Sequence, residues 1–419
     1  MTQKYPRLLF GLLAILFAAG CERRPPANGS YREFYSPGLI QSEAYYRHSK
    51  RHGPFKEYYL SGVLKSELTY LNGLKEGSFK QYYENGQLAS EGLFRNDQIV
   101  GLAKTYFPSG KLEGEYVYEN NLVHGPIKGY YESGSPRLSG LGRQGKREGD
   151  FVEYYPDGRI KSTMMYQQDL REGPQRQYYE NGQLKREEFY AQDQLNGVAR
   201  EYYPDGKIKV MEGFRSGMRH GFHKAYSPEG KILFLENYKN GRRDGPSREY
   251  FQNGDWRKIW TFKNGKVDGP VREFYKDGSI LRKEFYIKGK KGARAKSYFE
   301  SGRLKGLGGY RYDKLHGLSQ IFDEKGALLM DAVFRDDELH GESREFYPGG
   351  QIRKITTYAY NRKNGPEKEF FETGELLSER FYQNDQLLEV KQYNQKGEII
   401  AHENFQNHFL PPFTGEKGK

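Results

Sequence analysis

Apolar and polar residues alternate along most of this chain, and glycine resets the alternation every 24 residues. Gly173 to Asn196 reads GPQRQYYENGQLKREEFYAQDQLN, and Gly77 to Val100 reads GSFKQYYENGQLASEGLFRNDQIV. One anchor glycine carries the register from Gly29, Gly53 and Gly77 through to Gly341 and Gly365. The step is 24 residues except around Gly292, where one residue is lost and then regained. A sixteenth, degenerate copy starts at Leu388. A second glycine follows each anchor by nine residues, or ten at Gly292. A period this regular marks a stacked repeat protein.

Each copy predicts two short strands, typified by Phe79–Tyr83 and Gln87–Phe94 around Glu84-Asn85-Gly86. Asn-Gly between runs of Tyr, Phe and aliphatics is a strong hairpin signal, because both residues tolerate positive φ. A second polar turn, such as Asn240-Gly241 or Asn264-Gly265, leads to the next copy. No apolar spacing of 3.6 predicts a helix in the body of the chain. Two registers are open. A two-residue Asn85-Gly86 loop pairs Tyr83 with Leu88 and Lys80 with Glu91, whereas a three-residue loop with a glycine bulge puts Tyr82 opposite Leu88. The first is preferred because it makes an opposite-charge pair.

Three columns follow. Five residues past each anchor stands an aromatic, from Phe34 and Tyr58 to Phe370 and Tyr393. Eleven past stands an aliphatic or Trp, with Pro136 the exception, and seventeen past a second aromatic, broken at Gly142. Stacked hairpins turn each column into a ladder whose cross-strand pairs contribute roughly 0.2–1 kcal/mol each. The expected fold is all-β: an elongated array of about sixteen β-hairpin repeats forming one twisted antiparallel sheet, with residues 29–407 as the array. Glycine-rich Gly134–Gly145 and the Gly289–Gly292 and Gly306–Gly309 stretches weaken the ladders, which would allow a bend there.

The first residues differ. Met1–Cys21 carries Lys4 and Arg7, then apolar Leu8–Phe17, then Ala18-Ala19-Gly20. That order is a secretion signal over residues 1–20, too short to span a bilayer as an anchor. Cys21, the single cysteine, resembles the lipobox residue of bacterial lipoproteins, with Ala18 where Leu is preferred. The resemblance implies lipidation at Cys21 and a membrane attachment through that lipid. The expected location is therefore the cell envelope, at the outer membrane or periplasm of a Gram-negative cell. Residues 21–28 read as a tether, and residues 408–419, with Pro411-Pro412, as a tail beyond the array.

Composition and charge refine the picture. Mean hydropathy is −0.94, yet the chain holds 36 Tyr, which suits a thin sheet covered by amphipathic rings. The net charge of +12 falls to +10 once Lys4 and Arg7 are removed, too mild for specific nucleic-acid binding. Three past the anchor runs a basic column that shares a strand face with the aromatic column. Lys80, Tyr82, Lys104, Tyr106, Lys128, Tyr130, Arg176, Tyr178, Arg200 and Tyr202 form the candidate binding surface. Glu43, Glu67, Glu91, Glu115 and Glu187, fourteen past, offer charge complementation as the structural account of the same column. His52, His124, His220, His316 and His340 precede anchors where other copies carry Glu or Asp. Equivalent positions two strands apart stand roughly 10 Å from each other, too far to share an ion, so turn polarity is the preferred account. Repeating glycines without strand-to-helix context are not nucleotide loops. No unique nucleophile, base or paired carboxylate appears, so neither catalysis nor a cofactor is expected.

The pattern G-P-x-x-x-Y-Y-x-N-G-x-L-x-x-E-x-x-Y-x-N-G resembles the bacterial variant of the MORN repeat, in proteins labelled YwqK-type antitoxins. The match runs from Gly29 to about Phe405. The resemblance implies a single-layer sheet of hairpins used for protein–protein or membrane-surface contact, and carries no catalytic residue onto any position. The expectation is an envelope-anchored scaffold for a protein partner. Its alternatives are an antitoxin or immunity-type neutraliser and a polyanion- or glycan-binding surface protein.

Overall fold

The computed structural model describes residues 25–405, which form 36 strands and, among the described residues, no helix. The signal at residues 1–20, Cys21 and the tail at 408–419 lie outside the described residues. Two compact units emerge. Among the described residues, one holds residues 25–159 together with Gln167–Asp169; the other holds Ile160–Tyr166 and residues 170–405. Within each, consecutive strands pair antiparallel. In the first, Gly29–Ser36 pairs with Leu39–Arg47, which pairs with Lys50–Tyr58. In the second, Leu170–Tyr178 pairs with Leu184–Ala191, and the degenerate copy closes with Gln386–Tyr393 against Ile399–Asn404.

The two turns of each copy differ in kind, and the first differs from the preferred sequence reading. At Glu84-Asn85-Gly86 only Gly86 has positive φ, at 82°. Gly86 N–H donates to the Tyr83 carbonyl and Tyr83 N–H to the Gln87 carbonyl. This is the three-residue loop, and Tyr82 faces Leu88. Yet Lys80 also faces Glu91, because Ala89 is an extra residue that shifts the ladder between Gln81 and Tyr82. The bulge reconciles two registers that the sequence presents as exclusive. The two-residue turn lies at the other end. Asn96 and Asp97 have φ of 49° and 65°, the conformation of a type I′ turn.

The apparent loss of a residue at Gly292 is corrected as well. Ala293, exactly one period after Gly269 in position, takes φ of 62° and pairs with Tyr310 as an anchor should. Gly292 is the residue before the anchor, opposite Phe285. The 24-residue step holds there, and alanine bears the left-handed backbone that glycine bears elsewhere.

The buried face is set by a row that column reading missed, two past the anchor and fifteen past it. In the first unit it runs Phe79, Gly92, Ala103, Tyr116, Ile127, Gly140, Phe151, with Phe79, Ala103 and Ile127 at most 2% exposed. Large residues abut small ones. A Cβ on Gly92 would lie 2.7 Å from the Phe79 ring, and one on Gly140 2.4 Å from that of Phe151. Phe79 packs with Phe94 and Ile99 against Leu68 and Tyr118, and each fully buried Phe contributes roughly 2–3 kcal/mol. In the second unit the same row turns polar. Trp260, Phe262 and Val271 make one apolar cluster, but Glu236, Glu284 and Glu367 are buried in the row itself. Each has cations beside it: Arg243 at 3.1 Å, Lys291 at 2.8 Å, and Lys363 at 2.6 Å, respectively.

Candidate interaction face

The opposite face carries the candidate residues, since strand positions alternate between faces. In the first unit the basic column is interleaved with carboxylates. Lys80 stands between Glu67 and Glu91, and Lys104 between Glu91 and Glu115. Lys128 lies 3.8 Å from Glu115. The tyrosines join the same lattice. Tyr82, Tyr106 and Tyr130 donate their hydroxyls to Glu67, Glu91 and Glu115 at 2.7, 2.7 and 3.0 Å. Burial, and then the bond to the carboxylate, push the Tyr82 and Tyr106 hydroxyls up to about 12. In the second unit Arg176 and Arg200 flank Glu187, at 2.9 and 3.4 Å. Tyr178 and Tyr202 face Leu184 and Ile208. The structure thus assembles the predicted stripe in each unit and shows what holds it. Around Glu67, Glu91, Glu115 and Glu187, alternating charges satisfy one another.

A second ladder fixes the neighbouring tyrosines. Tyr59, Tyr83 and Tyr131 in the first unit donate to the backbone carbonyls of Tyr82, Tyr106 and Tyr154 at 2.7–2.8 Å. Tyr179 and Tyr203 do the same in the second. The residues before the anchors also find their role. Glu76, Glu172 and Asp244 each accept the N–H that opens the next type I′ turn, at 2.8–3.0 Å. The second turn residue reaches back. Asp97 accepts the Lys75 N–H at 2.7 Å, and Asp337 that of Leu315 at 2.7 Å. Turn capping is what the acidic members Glu76, Glu172 and Asp244 of that row do.

Sequence reading missed the exposed apolar residues of this face. Sixteen past the anchor, on the same face as the carboxylate column, Tyr45, Leu93 and Leu141 are exposed in the first unit. Met165, Phe285, Val333 and Phe381 are exposed in the second. Their signal was a recurring large apolar residue at fixed period, two beyond the carboxylate column. On the buried face of the second unit lies a cavity of about 410 Å³, where the row runs Ala295, Gly308, Ser319, Ala332. Tyr310, Leu315 and Phe334 line it together with Glu284 and Lys291.

The family model described as the MORN repeat variant matches ten stretches: 51–72, 75–96, 99–120, 147–168, 171–192, 195–214, 219–240, 267–288, 339–360 and 363–384. Together they cover just over half of the chain. The stretches passed over include the glycine-rich one after Leu122 and the one that contains Ala293. No curated relative matches the chain. Among solved structures, TcdB2–TccC3–TEV is similar over 90% of this chain and 24% of its own, at 10% identity and a TM-score of 0.15. The Photorhabdus luminescens Tc holotoxin pore with the TccC3 D651A mutation is similar over 87% and 24%, at 11% identity and a TM-score of 0.14. This chain spans about a quarter of the length of those chains, and likeness at such scores bears on neither its architecture nor its role.

Proposed function

The chain belongs to the MORN repeat variant family, and on that premise we propose that it is a non-enzymatic scaffold that binds a protein partner along its outer face. The observation that carries this reading is the row of exposed apolar side chains beside the charge lattice, Tyr45, Leu93 and Leu141 among them. Exposed apolar rows rimmed by polar residues are what partner surfaces present, and repeat arrays offer them over long distances. The lipobox-like Cys21 ties the scaffold to the cell envelope. An antitoxin or immunity role, the label of YwqK-type proteins, is one form that such partner binding takes.

Two linked experiments test this. Palmitate labelling of the intact cell should mark the wild-type chain and not Cys21→Ala. Crosslinking from photoreactive residues placed at Leu93 and Leu141 should then capture a defined protein, and the yield should drop in Cys21→Ala cells. Crosslinks no more abundant than those from the buried Phe79 position would sink the proposal.

A further inference from the structure

The charge lattice stops in the middle of the second unit. From Lys224 the outer-face row runs Lys224, Leu235, Arg248, Ile259, Arg272, Lys283, Lys296, Leu307, each residue opposite the next. Five cations stand in it and no carboxylate. Leu235, Ile259 and Lys283 occupy the positions that Glu67, Glu91 and Glu115 hold in the first unit. Every acidic residue of the stretch is elsewhere. Glu236, Glu249, Glu273 and Glu284 fall on the buried face, where Glu249 and Glu273 pair with Arg257 and Lys258 at 2.7 Å. Glu229, Asp244, Asp255, Asp268, Asp277 and Glu300 fall in or beside turns. Among the described residues, none of the five cations forms an ion pair.

This arrangement is unfavourable in the free protein. Arg272, Lys283 and Lys296 are exposed, lie on three successive strands about 5 Å apart and face one another directly. Like charges directly opposite are destabilising, and here the only mitigation is aromatic: the Lys283 ammonium lies 5.4 Å from the Tyr298 ring centroid, and that of Lys224 5.2 Å from Phe222. At Glu43, Glu67, Glu91, Glu115, Glu187, Asp331 and Glu379 the same fold places a carboxylate at the same position. A bound anion would supply here what the sequence withholds.

We propose that the face from Lys224 to Lys296 docks an acidic, apolar-bearing polypeptide segment of the partner. This rests on the scaffold reading above and names the chemistry of what it binds. The alternation decides the class. Cations alternate with Leu235 and Ile259, and Trp256 and Phe285 stand 51% and 41% exposed on the same face. Nucleic acids and acidic polysaccharides offer charge without aliphatic side chains and would leave those residues against polar surface. A polypeptide that mixes Asp or Glu with Leu or Phe complements both.

The test uses the full mature chain and a fluorescein-labelled peptide of repeating Glu-Leu-Asp units, followed by anisotropy. Labelled poly-glutamate, heparin, a single-stranded oligonucleotide and phosphatidylglycerol vesicles serve as the other arms. The peptide should bind most tightly and weaken as salt is added. The combined R248E, R272E and K296E changes should lower its affinity about tenfold or more, that is by about 1.4 kcal/mol or more. The combined K239E, K263E and K290E changes, at the turn end of the same unit with the same change in net charge, should leave it within about twofold. Circular dichroism establishes that each variant keeps its sheet. Loss of binding in both variants, or in neither, overturns the proposal, and so does tighter binding of heparin, oligonucleotide or vesicles than of the peptide. A crosslinked protein partner that touches only other parts of the outer face overturns it too, while leaving the scaffold itself standing.

Discussion

The hydroxyl of Tyr83 donates to the backbone carbonyl of Tyr106, 2.7 Å away and 23 residues further along the chain. Each such bond ties one copy to its successor, and removing one hydroxyl leaves the rings packed. Tyr83→Phe should therefore destabilise the first unit by about 1 kcal/mol, the usual net value of one hydrogen bond. Urea denaturation followed by circular dichroism measures it. An unchanged midpoint would mean that the bond contributes nothing net.

Ala293 offers the reverse effect. Its backbone, at φ of 62°, is one that a Cβ disfavours. Ala293→Gly should raise stability by about 1 kcal/mol. The same change at Ala295, on the buried face two residues on, should lower it. The pair of thermal midpoints, compared with wild type, checks both signs.

The interlocking of Phe79 with Gly92 makes a steric prediction. A Cβ at Gly92 meets the ring at 2.7 Å with Ala103 behind it at 3.2 Å. Gly92→Ala should cost about 2 kcal/mol through overpacking. Phe79→Leu in the same chain should recover part of that, so that the double variant is less destabilised than the sum of the single ones. Additive losses in denaturation would show that the two sites do not share space.

Glu367 sets an acid limit on the second unit. Burial raises its carboxyl, but the bond from Lys363, with Lys354 and Thr356 beside it, outweighs burial and holds the group below its ordinary value. A depressed folded value means that the contribution is present above the unfolded value of about 4.3. It is lost as pH falls below that, through the folded value. Glu367→Gln should cost about 3 kcal/mol at neutral pH and flatten the fall in stability below about pH 4.3. Unfolding midpoints across that range in both chains provide the comparison.

Tyr82 and Tyr106 set the alkaline one. With folded values of about 12, they contribute stability that is whole below about 10 and lost as pH rises toward their folded values. Ultraviolet titration of tyrosinate should show a late-ionising fraction that shrinks in the combined Tyr82→Phe, Tyr106→Phe variant. A late fraction of undiminished size would place the late hydroxyls elsewhere.

How far the sequence carried the fold follows from what each column conserves. The aromatic columns keep one chemistry, so Tyr82 and Phe94 announce themselves by period alone. The row through Phe79, Gly92, Ala103 and Tyr116 keeps only a summed size between neighbours. Its members change from aromatic to glycine to glutamate, and no single column shows it. The bulge at Ala89 was hidden for a different reason. An extra residue on one strand is invisible until the partner strand is placed, so the sequence presented Tyr82–Leu88 and Lys80–Glu91 as rivals when both occur. At Ala293 the sequence misled by offering Gly292 next door, though period pointed to the alanine. The candidate face was legible as a stripe at Lys80, Lys104 and Lys128. So was its compensation by Glu67, Glu91 and Glu115; the lapse of that compensation between Lys224 and Lys296 was not, because it shows only once the residues lying across from each cation are named.

The clasp between turns has an evolutionary corollary. Asp97 reaches back to Lys75, and Tyr83 reaches forward to Tyr106; neither bond extends past an adjoining module. Excision of one whole module, or its duplication in the gene, would rejoin each donor to an acceptor of the same type. Length is then a heritable variable that can change in whole modules without redesign, whereas a single residue inserted within a strand must be absorbed by a bulge or it moves the rest of that strand to the wrong face.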